Sequence, residues 1–240
     1  MIEQILKKYL QPSSDFIYGF ANLEGLLDEE FKNYTFGISI GKKLDDDIVD
    51  LVQNGPTMEY YHHYHNINTE LDGVASQICK ELNENGIRSQ NIIPTIKTTG
   101  DELKELKYKI SHKMVATRAG LGWIGKTDLL ISKKFGPRFR LVTILLEKPV
   151  DTENREINQS RCGTCDICVE KCPAQAANGK SWNIKTYRDG FFDAYKCRAM
   201  CAELAKKHLS RDIRICGICV SVCPIGKKNR KEMTEKIEGM

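Results

Sequence analysis

Apolar positions recur with helical spacing over one long segment in the first half of the chain. Between Asn68 and Asn85 a hydrophobic residue appears every three or four positions, and Gly86 then predicts the end of a helix. One member of this apolar stripe is Cys79, which we expect to be a buried small hydrophobic residue rather than a metal ligand. The stripe comprises Leu71, Val74, Ala75, Ile78, Cys79 and Leu82.

Three other segments have the composition of β-strands. Residues 34–40, 129–132 and 139–146 are rich in β-branched, aromatic and aliphatic side chains. The last two flank Gly136-Pro137, which predicts a hairpin. The pattern therefore predicts an α+β protein whose N-terminal part is a mixed α/β domain.

Composition and charge narrow the class of protein. Hydrophobic residues make up 41% and charged residues 28%, and 36 basic against 32 acidic side chains leave a net charge of +4. This mild charge demands neither nucleic acid nor a membrane, and the basic residues 227–231 fit a solvated helix end. Residues 1–8 lack a signal-peptide pattern and no apolar run approaches about 18 residues, so we expect a cytoplasmic protein.

The cysteines define the second part of the chain. Ten are present, and nine of them fall between Cys162 and Cys223. A polar segment, residues 151–156, follows Pro149 and precedes them. We therefore expect one domain over residues 1–150, binding a corrinoid or docking a partner, and a cluster-binding domain over 151–240. In a reducing cytoplasm such cysteines are better explained as metal ligands than as disulfides.

Their spacing predicts two interlocked 4Fe–4S clusters in a domain like that of bacterial ferredoxins. Residues 162–173 follow C-x2-C-x2-C-x3-C-P, in which three cysteines bind one cluster and the fourth binds the other. Residues 216–224 repeat half of this pattern without its first cysteine, so spacing leaves Cys197 and Cys201 as alternatives for the eighth ligand. Two structural zinc sites are the competing explanation. The remaining ligands are Cys162, Cys165, Cys168 and Cys223 for one cluster and Cys172, Cys216 and Cys219 for the other.

A glycine-rich segment before the cysteines is the second chemical feature. It reads Gly-x-Gly-x-x-Gly-Lys, but it follows a predicted helix rather than a strand, which argues against a Rossmann dinucleotide site. Glycine permits close backbone approach to a ligand, so a cofactor-contacting loop and a tight structural turn both remain open. The candidate cofactor-binding residues here are Gly120, Gly122, Trp123, Ile124, Gly125 and Lys126.

These residues carry a family resemblance. The segment Ala-Gly-Leu-Gly-Trp-Ile-Gly-Lys, the apolar run at 129–131 and the double-cluster pattern together resemble the epoxyqueuosine reductase family over residues 108–226, and more weakly over 15–95. The resemblance implies an N-terminal domain that binds cobalamin, two clusters that reduce it, and removal of an epoxide oxygen from a tRNA wobble nucleoside. It also implies that Cys197, preceded by a basic residue, is the eighth ligand and Cys201 a spare thiol.

The chain departs from the family at several points. The family's aspartate, part of an Asp-Ser/Thr-x-Pro element, would fall near residues 105–109 and is absent, leaving Glu105 and His112 as the nearest substitutes. The family's asparagine after Gly-Lys is Thr127 here, and the chain ends about seventeen residues past Cys223, before any helical-repeat extension. We therefore expect a short paralogue for which tRNA is not a partner.

An aromatic and histidine-rich run at residues 60–65 is the last candidate feature. The family has a Tyr-His pair at about this place, matched by Tyr64 and His65. Histidine can bind a metal or transfer a proton near neutral pH, so this pair is a candidate cofactor contact. The alternative is the start of a surface helix with aromatic rings packed beneath it.

Together these features predict a corrinoid-linked reductase or reductive activator. Its cofactors would be two 4Fe–4S clusters and cobalamin. Its partners would be a low-potential donor such as ferredoxin or flavodoxin and a small-molecule or protein-bound acceptor, with no membrane involved. The competing hypothesis is a non-catalytic electron-transfer protein whose first domain docks a partner.

Overall fold

The protein has the predicted α+β architecture. The computed structural model describes residues 1–11, 13–94, 106, 108–153 and 155–227. Its helices are α1 Ile2–Leu10, α2 Asp46–Asp50, α3 Met58–Glu84, α4 His112–Arg118, α5 Ile167–Glu170, α6 Ala194–Leu209 and α7 Ile218–Val222, with 3₁₀ turns at Glu29–Phe31 and Arg188–Gly190. Its strands are β1 Phe16–Asn22, β2 Phe36–Lys43, β3 Ser89–Ile92, β4 Gly122–Ile124, β5 Leu130–Ser132 and β6 Phe139–Leu146.

The chain folds into two compact units, each assembled from several stretches. Unit 1 comprises Met1–Lys43, His65–Gly122 and Arg140–Ile157. Unit 2 comprises Leu44–Tyr64, Trp123–Phe139 and the chain from Asn158 onwards. Unit 2 therefore contains every cysteine except Cys79.

Unit 1 is built on a four-stranded sheet of order β1-β2-β6-β3. Strands β1 and β2 are antiparallel, with Phe16 opposite Lys42, and β3 runs antiparallel to β6. The alternate residues Ile38 and Ile40 of β2 are fully buried, as expected for one face of a strand against a core. A contiguous group of buried side chains fills this unit: Ala21, Leu23, Phe31, Ile92, Ile110, Val115, Ala119 and Leu145.

The predicted long helix is confirmed, although it begins at Met58, ten residues before the predicted start at Asn68. The side-chain oxygen of Thr57 accepts a hydrogen bond from the Tyr60 N–H at 3.1 Å, which satisfies a donor in the first turn. At the other end Gly86 has φ +72°, and the Ile87 N–H donates to the Leu82 carbonyl at 2.9 Å. This is the Schellman arrangement that a glycine permits. Cys79 is buried as predicted, and burial raises the pKa of its thiol to about 11.

The predicted hairpin after residue 129 is wrong. Strand β5 pairs with β4, whereas β6 joins the four-stranded sheet. Only one bridge, between Ser132 and Gly136, connects the two arms of the turn. Strand β6 carries buried side chains on both faces, among them Val142, Thr143 and Ile144, and a two-stranded ribbon would leave one face exposed. The burial of both faces of β6 therefore decided its pairing, although Gly136-Pro137 favours a hairpin turn.

Within the described residues, none of the helices combines the length and apolar character needed to cross a bilayer.

Candidate metal centre

The first cysteine run forms a tight turn followed by a short helix. Gly163 adopts φ +57°, and the Cys165 N–H donates to the Cys162 carbonyl at 3.2 Å, which brings these two cysteines onto one turn. Helix α5 then presents Cys168, and its end places Cys172, whose N–H bonds to the Val169 carbonyl. The four cysteines of residues 162–172 therefore lie on one compact loop.

The second run repeats this construction. Gly217, which follows Cys216, has φ +93°, and its N-terminal position on α7 places Cys219 in the first turn. A Cβ added at Gly217 would lie 2.8 Å from the Tyr60 ring and 2.9 Å from Val52, so any larger residue would displace the packing behind the turn. Helices α5 and α7 contact each other, which brings the two runs together.

The remaining two cysteines lie on α6. Its N-cap residue, Asp193, accepts hydrogen bonds from the N–H groups of Tyr195 and Lys196, which fixes the start of the helix. Cys197 and Cys201 therefore lie one turn apart on the same face, and their sulfurs are 4.0 Å apart.

Four of the thiols form one electrostatic neighbourhood. The pKa of Cys223 is raised to about 11, mainly by burial and to a smaller extent by the nearby groups of Cys168, Cys162 and Cys165. Burial likewise raises the pKa of Cys168, with the same contributions from Cys162 and Cys165. These are the four cysteines predicted to bind the first cluster, although Cys223 is distant from the others in sequence.

The other thiols form a second neighbourhood. Burial raises the pKa of Cys219, and the groups of Cys216, Cys197 and Cys172 add to this effect, together with Cys168 from the first neighbourhood. We call Cys162, Cys165, Cys168 and Cys223 the first ligand set, and Cys172, Cys197, Cys216 and Cys219 the second. Cysteine thiolates are the usual ligands of 4Fe–4S clusters, so both sets fit the chemistry of a cubane.

Cys201 lies beside the second ligand set. Its thiol hydrogen-bonds Cys197 and Cys216, which lowers the pKa of Cys216 to about 7 and also lowers the pKa of Cys197. The same contacts raise the pKa of Cys201. Either sulfur of the Cys197–Cys201 pair can be the donor, so the choice of Cys197 as the eighth ligand remains a prediction.

Among the described residues, no three His, Cys, Asp or Glu side chains converge on a point suited to a single metal ion. In a cubane each thiolate binds its own iron, so the ligand sulfurs surround the cluster instead of meeting at one centre.

Side chains of the glycine-rich segment contact the first cysteine run. The Trp123 indole N–H donates to the Cys162 sulfur at 3.4 Å, and the Thr127 hydroxyl hydrogen-bonds Cys168. The Lys126 ammonium is buried and lies 2.7 Å from Asp166, inside the first ligand loop. Sequence reasoning identified Trp123 and Lys126 as cofactor contacts but did not foresee that they meet the cysteine run.

Two of the glycines are required by local packing. Gly120, at φ +70°, closes α4, with the Leu121 N–H donating to the Ala116 carbonyl at 3.0 Å. A Cβ added there would lie 2.7 Å from Arg155, and one added at Gly125 would lie 2.9 Å from Ile131. A tight structural turn therefore accounts for both positions. The segment follows a helix, as predicted, and Gly122 and Ile124 lie in β4.

The aromatic and histidine run begins α3. Tyr60 is buried, and its ring centroid lies 6.5 Å from that of Tyr64. His63 Nε2 accepts a hydrogen bond from the Asp45 N–H at 2.8 Å, and His65 is exposed. Aromatic packing beneath a helix start is therefore observed, while the cofactor role of Tyr64 and His65 remains a prediction.

Of the two candidate proton donors, His112 and Glu105, the structure describes His112. His112 Nε2 lies 3.0 Å from the Ile93 carbonyl and must donate to it, so Nδ1 accepts from the Thr143 hydroxyl at 2.8 Å. Burial lowers the pKa of His112 to about 4, which keeps the ring neutral. Glu105 lies outside the described residues.

Arg138 supports the second cysteine run and was not foreseen. Its side chain is fully buried; it lies 3.3 Å from Asp46, 2.5 Å from Asp50 and 2.9 Å from the Ser221 carbonyl. Ser221 stands between Cys219 and Cys223. Because the partners lie far apart in sequence, no local pattern could have indicated this contact.

Comparison with known proteins identifies the cysteine region and the chain's relatives. Residues 161–226 match the 4Fe-4S double cluster binding domain, which confirms the predicted clusters over zinc. Epoxyqueuosine reductase from Cyclobacterium marinum is 28% identical over 134 residues, covering 52% of this chain and 40% of that protein. The enzyme from Lactococcus garvieae is 33% identical over 120 residues, covering 47% of this chain and 31% of its own length. The chain therefore resembles epoxyqueuosine reductases, as predicted, but spans less than half of these relatives.

Solved structures share the fold over nearly the whole chain. A reductive dehalogenase, described with a mechanism for B12-dependent dehalogenation, superposes with a TM-score of 0.67 at 14% identity, covering 92% of this chain and 31% of that one. An epoxyqueuosine reductase bound to an epoxyqueuosine-modified tRNA stem loop superposes with a TM-score of 0.59 at 15% identity, covering 94% and 65%.

Proposed function

We propose that this protein is a reductase or reductive activator that passes electrons through two 4Fe–4S clusters to a corrinoid held by the N-terminal part of the chain. The observation that carries the proposal is the extent of the shared fold. The likeness to the B12-dependent dehalogenase covers 92% of this chain, so it includes the α/β part as well as the cysteine runs.

The clusters supply the redox chemistry of the proposal. Each 4Fe–4S cluster carries one electron at a time, and a corrinoid accepts electrons one at a time when it is bound. Electrons would come from a low-potential donor such as ferredoxin or flavodoxin. The acceptor beyond the corrinoid would be a small molecule or a protein-bound group.

The glycine-rich segment limits how a corrinoid could bind there, because two of its side chains already bond within the protein. The Trp123 N–H already donates to Cys162, and the Lys126 ammonium is buried and already paired with Asp166. A corrinoid at this segment would have to be held by backbone groups and apolar surface. This engagement favours the second candidate, an electron-transfer protein whose first part docks a partner.

Epoxyqueuosine in tRNA is not the proposed substrate. Removal of the epoxide oxygen requires a positioned acid, which is worth about a hundredfold or more in rate. The family's aspartate is missing from residues 105–109, and His112 is neutral and bonded through both ring nitrogens. The tRNA contacts of the related enzyme are therefore not carried over to this chain.

Cobalamin binding by the full chain tests the proposal. Anaerobically reconstituted protein should hold about eight irons and eight sulfides, the sum of two cubanes. It should then take up cobalamin with a shifted visible spectrum. Substituting His65→Ala should weaken uptake, whereas His62→Ala, at an equally exposed position on α3, should not.

Two outcomes would decide against the corrinoid. A cluster-loaded protein that leaves the cobalamin spectrum unchanged at high concentration would support the carrier hypothesis instead. Equal binding by both histidine variants and the wild type would show that His65 does not contact the corrinoid, although the protein still binds it. Stoichiometric zinc without sulfide would overturn the cluster chemistry itself.

A further inference from the structure

The chain between Cys172 and Cys197, two members of the second ligand set, includes a closed surface loop. We call residues 178–193 the connecting loop. Its ends are paired, because the Asn178 N–H donates to the Phe191 carbonyl at 3.1 Å, and Phe191 is only 1% exposed. The loop therefore has a fixed and buried base.

Backbone hydrogen bonds connect the base of this loop to both cysteines. On one side the Gln175 N–H donates to the Cys172 carbonyl at 3.0 Å. On the other side the Cys197 N–H donates to the Asp193 carbonyl at 3.2 Å, and the Asp193 N–H donates to the Ala176 carbonyl at 2.7 Å. A partner that binds the connecting loop therefore lies beside two ligands of the second cluster.

Positive charge is concentrated around this loop. Residues 170–198 carry six basic and three acidic side chains, which leaves +3 of the chain's net charge of +4. Of the acidic residues, Asp189 lies 2.7 Å from Arg188, Asp193 caps α6, and Glu170 is exposed. Four of the basic residues are exposed lysines, and within the described residues none of them pairs with a carboxylate. These lysines are Lys171, Lys180, Lys185 and Lys196.

The connecting loop also exposes apolar surface. Tyr187 is 89% exposed and Ile184 is 49% exposed, so neither side chain belongs to the core of unit 2. Both lie on ordered turns: the Thr186 N–H donates to the Asn183 carbonyl at 2.8 Å, and the Gly190 N–H donates to the Tyr187 carbonyl at 3.0 Å. Tyrosine is enriched where proteins bind one another, and polar residues surround such contacts. An exposed tyrosine in a loop with exposed lysines therefore favours a protein partner.

We propose that the connecting loop is the docking surface for an acidic electron-donor protein, such as a ferredoxin, that reduces the second cluster. One electron leaves the reduced centre of the donor and enters the second cluster, with no bond made or broken and no proton moved. Opposite charges on the two proteins speed their encounter. Nucleic acid also binds lysines and aromatic rings, but it cannot supply the electron that the neighbouring cluster accepts. The inference rests on the proposed entry of electrons from a low-potential donor and is independent of the corrinoid.

Stopped-flow mixing of the cluster-loaded full chain, without cobalamin, with a reduced acidic ferredoxin tests the docking surface. The double variant Lys180→Glu with Lys185→Glu reverses two charges and keeps the backbone N–H groups that these residues donate to Asn178 and Asn183. Its second-order rate constant at low salt should fall by about tenfold, and added salt should slow the wild type more than the variant. Tyr187→Ala should weaken ferredoxin binding by about tenfold without changing the salt dependence.

Two controls separate docking from damage to the clusters. Every variant should retain about eight irons per chain, and excess dithionite, which needs no protein contact, should reduce both clusters to the same extent. Lys133→Glu makes the same change of charge at an exposed position of unit 2 outside residues 170–198. Its rate constant should stay within about twofold of the wild-type value.

Several results would overturn the proposal. They are a wild type that ferredoxin does not reduce, a double variant that it reduces at the wild-type rate, and equal slowing in Lys133→Glu. If the double variant loses its clusters, Tyr187→Ala decides instead, and unchanged ferredoxin binding in that variant would overturn the proposal. An unchanged ferredoxin rate together with lost affinity for an RNA stem loop would assign the surface to nucleic acid. Failure of cobalamin binding would leave these rates unaffected, so the two proposals fail separately.

Discussion

Replacing Arg138 with leucine removes a buried cation from between α2 and the second cysteine run. The guanidinium is fully buried, and the Asp46 side chain that faces it is only 2% exposed. The variant removes the cation that faces this buried carboxylate, and the Ser221 carbonyl loses its 2.9 Å donor. The expected effect is therefore destabilisation of unit 2.

The size of the destabilisation follows from the burial of the Arg138–Asp46 ion pair. Removing one partner of a buried ion pair typically costs about 3–5 kcal/mol, a large part of a total stability of roughly 5–15 kcal/mol. For a chain of this size the apparent Tm should fall by roughly 6–20 °C. Because Ser221 lies between Cys219 and Cys223, the variant should also release iron faster to a chelator.

Thermal unfolding of anaerobic, cluster-loaded protein measures this effect. The matched control is Asp50→Asn, which keeps a polar side chain at a position that is 50% exposed and should lower the Tm by less than Arg138→Leu does. The double variant Arg138→Leu with Asp46→Leu removes both charges and should recover most of the lost Tm. A single Arg138→Leu variant with an unchanged Tm and wild-type iron retention would refute the reasoning.

Three further predictions concern other parts of the chain. Cys201→Ala should retain both clusters, whereas Cys197→Ala should lose the second cluster or convert it to a three-iron form; iron and sulfide analysis with paramagnetic resonance would show the reverse pattern if the ligand assignment is wrong. The unfolded chain protonates a histidine near pH 6.5, but folded His112 has a pKa of about 4, so the free energy of unfolding should fall as the pH is lowered from about 6.5 toward 4. Denaturant titrations should find this dependence reduced in His112→Gln, and an identical dependence in both proteins would contradict the assignment. Expression in a strain lacking epoxyqueuosine reductase should yield little or no queuosine by nucleoside mass spectrometry, and full restoration would show that the missing aspartate is not needed.

Local patterns predicted those features that depend on neighbouring residues. The stop at Gly86 and the burial of Cys79 follow from helical spacing and a glycine's access to positive φ, and both are observed. The double-cluster domain followed from cysteine spacing, because ligands two or three residues apart on a turn are fixed by the local backbone. The helix stripe did not show that α3 begins at Met58, since the first turns carry a polar and aromatic pattern.

Contacts between distant residues were decided only by the tertiary structure. A strand's partner depends on which surface buries it, so β6 joined the four-stranded sheet although its turn resembled that of a hairpin. The buried Arg138 joins residues that lie far apart in sequence. The glycine-rich segment is the most informative case. Its sequence left both a cofactor loop and a structural turn open. Packing directs Trp123 and Thr127 toward cysteines about forty residues away, because a buried N–H or hydroxyl must find an acceptor.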